Sequence, residues 1–138
     1  MLRMTQIGAF VLSGSLAACA SAPVSTSESA DVPASRVQNS ALLSPRPGTQ
    51  ALVIKRDSGF VGAGCNVAVY VDGAAVAELA ASEKVTVHLA PGQHFLGARH
   101  NCMGTLAELQ TKVEPGSPRT FRIGTGMNGD FSLQPTAF

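Results

Sequence analysis

Asn66-Val67-Ala68-Val69-Tyr70-Val71-Asp72-Gly73-Ala74-Ala75-Val76-Ala77-Glu78-Leu79 is the stretch that decides the fold. Val67, Val69 and Val71 alternate, so an extended chain puts them on one face. Asp72-Gly73 follows, a pair that tolerates positive φ and signals a tight two-residue hairpin. Ala74 to Leu79 is then the returning strand. The same residues carry a contrary signal, because Ala74 to Ala81 is rich in good helix formers. The hairpin in front of the segment favours the strand.

The pattern extends outward from this hairpin. Upstream, Ala51 to Arg56 reads as a first strand, and Asp57 to Gly64 as a glycine-rich loop. Downstream, Val85 to Leu89 alternates and ends at Ala90-Pro91-Gly92-Gln93, a turn signal. His94 to Arg99 returns. Leu106 to Val113 has helical spacing at Leu106, Leu109 and Val113, and Thr105-Leu106-Ala107-Glu108 looks like a capping box. Glu114-Pro115-Gly116-Ser117 closes it before another strand, so it too reads as a strand. Thr120 to Ile123 and Asp130 to Gln134 complete the set. Short strands with regular turn signals indicate an all-β sandwich or barrel. Composition agrees: of 138 residues 45% are hydrophobic but only 5% aromatic, with 14 Gly and 8 Pro. Such a chain allows one domain, here residues 49–138.

Val69-Tyr70-Val71-Asp72-Gly73, the strand Val85 to Leu89, and Pro91-Gly92-Gln93-His94-Phe95-Leu96 together resemble the PEGA-type β-sandwich and a related, uncharacterised family of bacterial lipoproteins. The resemblance spans roughly residues 50 to 134. It implies an immunoglobulin- or transthyretin-like sandwich of about seven strands, used as an extracytoplasmic binding or spacer module. It brings no catalytic residues. The family pattern also has a histidine after Pro-Gly; here that is His94, which the resemblance implies supports the turn by hydrogen bonding.

The N-terminus carries an address. Met1 to Gln6 contains one basic residue, Arg3, followed by apolar Ile7 to Leu12 and small residues to Ala18. These are the parts of a secretory signal peptide over residues 1–18. The apolar run is shorter than the ~20 residues a spanning helix needs. Leu16-Ala17-Ala18-Cys19 resembles the bacterial lipobox. The resemblance implies a diacylglycerol on the Cys19 thiol, cleavage before Cys19 and acylation of the new amine. Each buried CH₂ contributes ~0.8 kcal/mol, so several chains anchor firmly where one does not. Ala20, not Asp, follows the cysteine, which favours the outer membrane over the inner, with the protein facing the periplasm. Residues 19–48 then read as the lipidated Cys and a disordered Ser/Ala/Pro-rich tether. That tether has four prolines and no aromatic residue and a coil reach of ~30 Å. A short helix around Ser35 to Leu43 is the alternative within it.

If Cys19 carries lipid, Cys65 and Cys102 remain, and two thiols in an oxidising compartment can pair. Two buried free thiols, or one reactive thiol, are the competing reading.

Charge and motif searches bound the chemistry. Net charge is +1; the ten basic residues less Arg3 balance the nine acidic ones, and the signs are mixed along the chain. A nucleic-acid binder needs a concentrated basic surface, so no nucleic-acid partner is expected. Gly124-Thr125-Gly126-Met127-Asn128-Gly129 matches G-x-G-x-x-G, but a dinucleotide site needs a helix starting there, and the residues after Gly129 look like a strand. His88, His94 and His100 share parity, yet residues six apart on a strand are ~20 Å apart, too far to share a metal. Ser58, Ser82, His88 and Asp130 lack a joining nucleophile motif. Asp57, Asp72, Glu83 and Asp130 fall mostly in turns, where short acids bond to the backbone. The loop after the first strand offers Arg56 and Phe60 as a binding tip, or Phe60 folded back as a cap.

The expectation is therefore an outer-membrane-anchored periplasmic lipoprotein with a non-catalytic binding or scaffolding domain. It would have no cofactor and no metal, and would meet an envelope protein or cell-wall component. Alternatives are a subunit of an envelope transport or secretion assembly, or a small envelope hydrolase or metal-dependent enzyme.

Overall fold

The computed structural model describes residues 21–59 and 63–138. It has nine strands: β1 (Ala30–Asp31), β2 (Gln50–Arg56), β3 (Val67–Val71), β4 (Ala74–Leu79), β5 (Glu83–Leu89), β6 (Gly92–His100), β7 (Leu106–Val113), β8 (Thr120–Thr125) and β9 (Phe131–Pro135). They form two sheets, one ordered β1-β5-β2-β8-β9 and the other β4-β3-β6-β7. The β1–β5 and β2–β8 pairs are parallel and the remaining pairs antiparallel.

The 66–79 stretch forms the expected hairpin. Val71 pairs Ala74 across Asp72 (φ 50°) and Gly73 (φ 80°), the two positive φ values that a type I′ turn requires. The register shifts between Val69 and Tyr70, leaving Val76 as the extra residue of a bulge in β4. Both segments with helical signals are strands. Pairing with β3 and β6 decides this, since tertiary context overrides the modest propensity differences between residues.

The inner faces interdigitate as a sandwich. Leu52, Ile54, Val85, Val87, Phe121 and Ile123 from one sheet meet Val67, Val69, Val71, Leu79, Leu96 and Ala98 from the other, all 3% exposed or less. Among the described residues Phe121 is the one Phe or Tyr ring that is fully buried. Aliphatic alternation fills the rest, as the low aromatic content requires.

Residues 21–48 depart from the expected free tether. They form a strap that crosses the outer face of the five-stranded sheet with its first residues, joins that sheet's edge as β1, and then bonds to β4 of the other sheet. Ser21 bonds Thr125 on β8, and Ala22 bridges Ser58 just past β2. The main-chain oxygen of Val24 accepts from Lys55 Nζ at 2.5 Å, and those of Thr26 and Ser29 accept from Lys84 Nζ at 2.9 and 2.8 Å. β1 pairs the edge of β5. Two 3₁₀ turns follow, Ala34–Arg36 and Ser40–Leu43, where a short helix was the alternative. Between them Val37 bridges Ala77, and the N–H groups of Gln38 and Asn39 both donate to the bulged Val76 carbonyl at 2.8 and 3.1 Å. Arg36 pairs Glu83 at 2.5 Å. The physical reason is that main-chain groups bond to the sheet while Val32, Leu42 and Leu43 pack against the core. A low-hydrophobicity segment can order when buried cations and a bulge are placed to receive its backbone.

Candidate functional site

Sandwich ends are built by loops. At one end lie the described loop residues 57–59, 63–66, 80–82, 101–105 and 126–130, together with Ser21; at the other lie 44–49, 72–73, 90–91 and 114–119. The first end holds a disulfide. Cys65, just before β3, bonds Cys102, between β6 and β7, with Cα atoms 5.9 Å apart. It ties two elements of the four-stranded sheet.

Arg56 and Phe60 were the candidates for a binding tip, with Phe60 folded back as a cap as the other reading. Phe60 lies outside the described residues. Arg56 is on β2 and 4% exposed, not at a tip. Its guanidinium donates to the carbonyls of Cys65 at 2.6 Å and Leu79 at 3.0 Å. Burial lowers its pKa from the usual arginine value, partly offset by Glu83. The role is structural: a cation inside the sandwich end, holding the loop that leads into the disulfide. Leu16, Ala17, Ala18 and Cys19 also lie outside the described residues.

The outer face of the five-stranded sheet concentrates charge under the strap. Lys55 is 1% exposed and Asp57 3%. Arg122 donates to Asp57 Oδ2 through Nε at 3.2 Å and a terminal nitrogen at 2.5 Å. Lys55 also donates to the main-chain oxygen of Phe138. Burial lowers the Lys55 pKa; Asp57 opposes the shift and Arg122 adds to it. Gly124 makes room here, since a Cβ on it would stand 3.0 Å from Asp57 Oδ2. The glycine motif is thereby explained without a nucleotide: Gly124 clears the carboxylate, Gly126 faces Asp130 across the β8–β9 loop, and Gly129 has φ 82°.

The three histidines are dispersed. His94 Nδ1 donates to Asp72 Oδ2 at 2.7 Å and Nε2 donates to the Ala90 carbonyl at 2.7 Å. Only the imidazolium can donate from both nitrogens. Burial pulls its pKa down, but the bonds to Asp72 and Ala90 and the Asp72 charge outweigh that and raise it. Burial likewise pushes Asp72 up, while His94 and the Phe95 N–H hold it below the ordinary value. This pair locks the 72–73 and 90–91 turns together, the supporting role expected of His94. His100 is 1% exposed, with its ring edge-on to Phe131. His88 lies near the far end of β5, opposite Ala51, away from Ser58, Ser82 and Asp130. Among the described residues no group of three His, Cys, Asp or Glu side chains can hold a metal ion.

The residues best placed to meet a partner were not singled out by the sequence. They lie on the uncovered outer face of the four-stranded sheet. A concavity of about 270 Å³ is lined by Tyr70, Gly73, Arg99, Leu106 and Glu108. Register builds it: Tyr70 faces Gly97, Gly97 faces Glu108, and Arg99 faces Leu106. A Cβ on Gly97 would stand 3.3 Å from Tyr70 Cβ, so the glycine lets the tyrosine lie against the sheet. Leu106 is 53% exposed and Phe95, further along the same face, 52%. Apolar walls with one cation and one carboxylate fit a small mixed-polarity group or an extended side chain. A second concavity, about 310 Å³, follows the seam between the strap and β5.

No family model, curated protein or solved structure matches this chain.

Proposed function

We propose that this chain is an outer-membrane lipoprotein, held by lipid on Cys19 and facing the periplasm, whose sandwich is a non-catalytic binding or scaffolding module. The observation that carries the reading is the fate of the three cysteines. Cys19 ends a lipobox-like run, Leu16-Ala17-Ala18-Cys19, and the other two thiols are joined as Cys65–Cys102. A structural disulfide belongs to an oxidising compartment, where a signal peptide delivers its cargo. The PEGA-like resemblance of residues 50–134 points the same way. In this reading the Tyr70–Arg99–Leu106 concavity meets an envelope protein or a cell-wall component.

The test is membrane fractionation with mass measurement of the mature N-terminus. The wild-type chain should partition with membranes and carry acyl groups on residue 19, and Cys19→Ser should be soluble. Unchanged membrane association of Cys19→Ser defeats the anchor.

A second reading is a subunit of an envelope transport or secretion assembly. It is favoured by β7, an edge strand with exposed Leu106, Glu108, Gln110 and Lys112 and no neighbour on its far side among the described residues. Such an edge can accept another strand. Co-purification of stoichiometric partners lost on Gln110→Pro would favour it.

A further inference from the structure

The strap changes where a lipid anchor would hold the domain. Ser21 is fixed at the end of β8: its N–H and hydroxyl reach the Thr125 carbonyl, the latter at 2.7 Å, and its Oγ accepts from the Thr125 N–H at 3.0 Å. Ala22 exchanges two main-chain bonds with Ser58, at 2.8 and 3.0 Å. Cys19 is two residues before Ser21 in the sequence, and two residues of chain span at most ~7 Å. A free tether from 19 to 48 would instead have allowed ~30 Å.

The same end has a surface suited to a bilayer. Met127, two residues past Thr125, is 64% exposed, and Met103 in the neighbouring loop is 42% exposed. The loops 57–66, 80–82, 101–105 and 126–130 contain no Lys, Arg or Glu. They contain two aspartates: Asp57, buried and paired with Arg122, and Asp130, exposed. The loops at the opposite end carry Arg46, Asp72, Glu114 and Arg119. The strap adds exposed Glu28 beside the 80–82 loop; small residues with projecting methionines can rest among headgroups while Glu28 and Asp130 stay in contact with water.

We propose that this end of the sandwich, with Met127 and Met103 foremost, lies against the surface of the bilayer that holds the anchor. The domain then stands upright, with the 72–73, 90–91 and 114–119 turns farthest from the lipid and the Tyr70 concavity facing sideways along the membrane. This rests on the lipidation of Cys19 proposed above.

The test uses the full lipidated chain, purified from membranes and placed in phosphatidylethanolamine/phosphatidylglycerol vesicles that contain headgroup-nitroxide lipid. With Cys19 acylated and Cys65 bonded to Cys102, one added thiol takes a fluorophore selectively. Quenching at Met127→Cys should exceed that at Arg119→Cys several-fold. Inserting a 20-residue Gly/Ser segment between Ala20 and Ser21 should abolish that difference while flotation with the vesicles persists. Equal quenching at both sites, or none at either, in protein that floats overturns the placement and leaves the anchor standing. Protein that does not float and has an unmodified residue 19 overturns both.

Discussion

The outer face of the five-stranded sheet carries Lys55, Asp57, Lys84 and Arg122, and the strap covers it. The outer face of the four-stranded sheet carries Tyr70, Phe95, Arg99 and Leu106, and no element among the described residues covers it. Alternation alone would bury the second set sooner than the first. What decides is hydrogen bonding: lysines buried beside main-chain oxygens have partners, so their stems can be covered. The two sheets are also secured differently. Non-covalent strap contacts cover the first and reach only the β4 edge of the second, whose β3 and β6–β7 loop are joined by the disulfide.

That contrast can be broken at several points. The largest effect is expected from Cys65→Ala with Cys102→Ala. The residues are 37 apart in sequence, and loss of that cross-link should lower stability by about 4 kcal/mol in urea titration. A loss below about 1 kcal/mol would show that the bare sheet does not depend on it.

On the covered face, Lys55→Ala should cost about 2–3 kcal/mol, through lost packing and two main-chain oxygens left without their donor. Limited proteolysis of the same variant should cut within 22–32, where the wild type resists. Rapid wild-type cleavage there would restore the free tether. Gly124→Ala should cost about 1–2 kcal/mol by forcing Cβ against Asp57, although the glycine motif itself invites a nucleotide reading.

His94 gives a pH signature. Its folded-state pKa is raised, so its contribution is complete below the unfolded value of about 6.5 and is lost as pH rises through the folded value. Asp72 is lowered, so its contribution is present above about 3.8–3.9 and fades as pH falls through its folded value. Wild-type stability should therefore fall with rising pH above about 6.5, and His94→Gln should remove that slope. The smallest effect is expected on the bare face. Arg99 is exposed and makes no ion pair with the described residues, so Arg99→Ala should change stability by less than about 0.5 kcal/mol while altering partner binding.

Local signals read well from the sequence. Asp72-Gly73 and Glu114-Pro115-Gly116 marked the turns, and each of the eight segments read as a strand is one; with β1 the described residues hold nine strands where about seven were expected. The strap was missed because its few apolar residues, Val32, Leu42 and Leu43, show no periodicity, and its other contacts are polar ones to groups far along the chain. The concavity was missed because it needs the β3–β6–β7 register, which brings Tyr70, Gly97 and Glu108 side by side. Arg56 beside a glycine-rich loop looked like a tip; its burial depends on carbonyls contributed by Cys65 and Leu79.

The Ser21–Thr125 contact has a temporal consequence. The partners are 104 residues apart, so in a chain exported N-terminus first, Ser21 meets its site only after nearly everything else has crossed. Long-range closures of this kind form late. Residue 19 would thus stay accessible to modifying enzymes while the sandwich assembles, and the strap would close over the lysines as a last step.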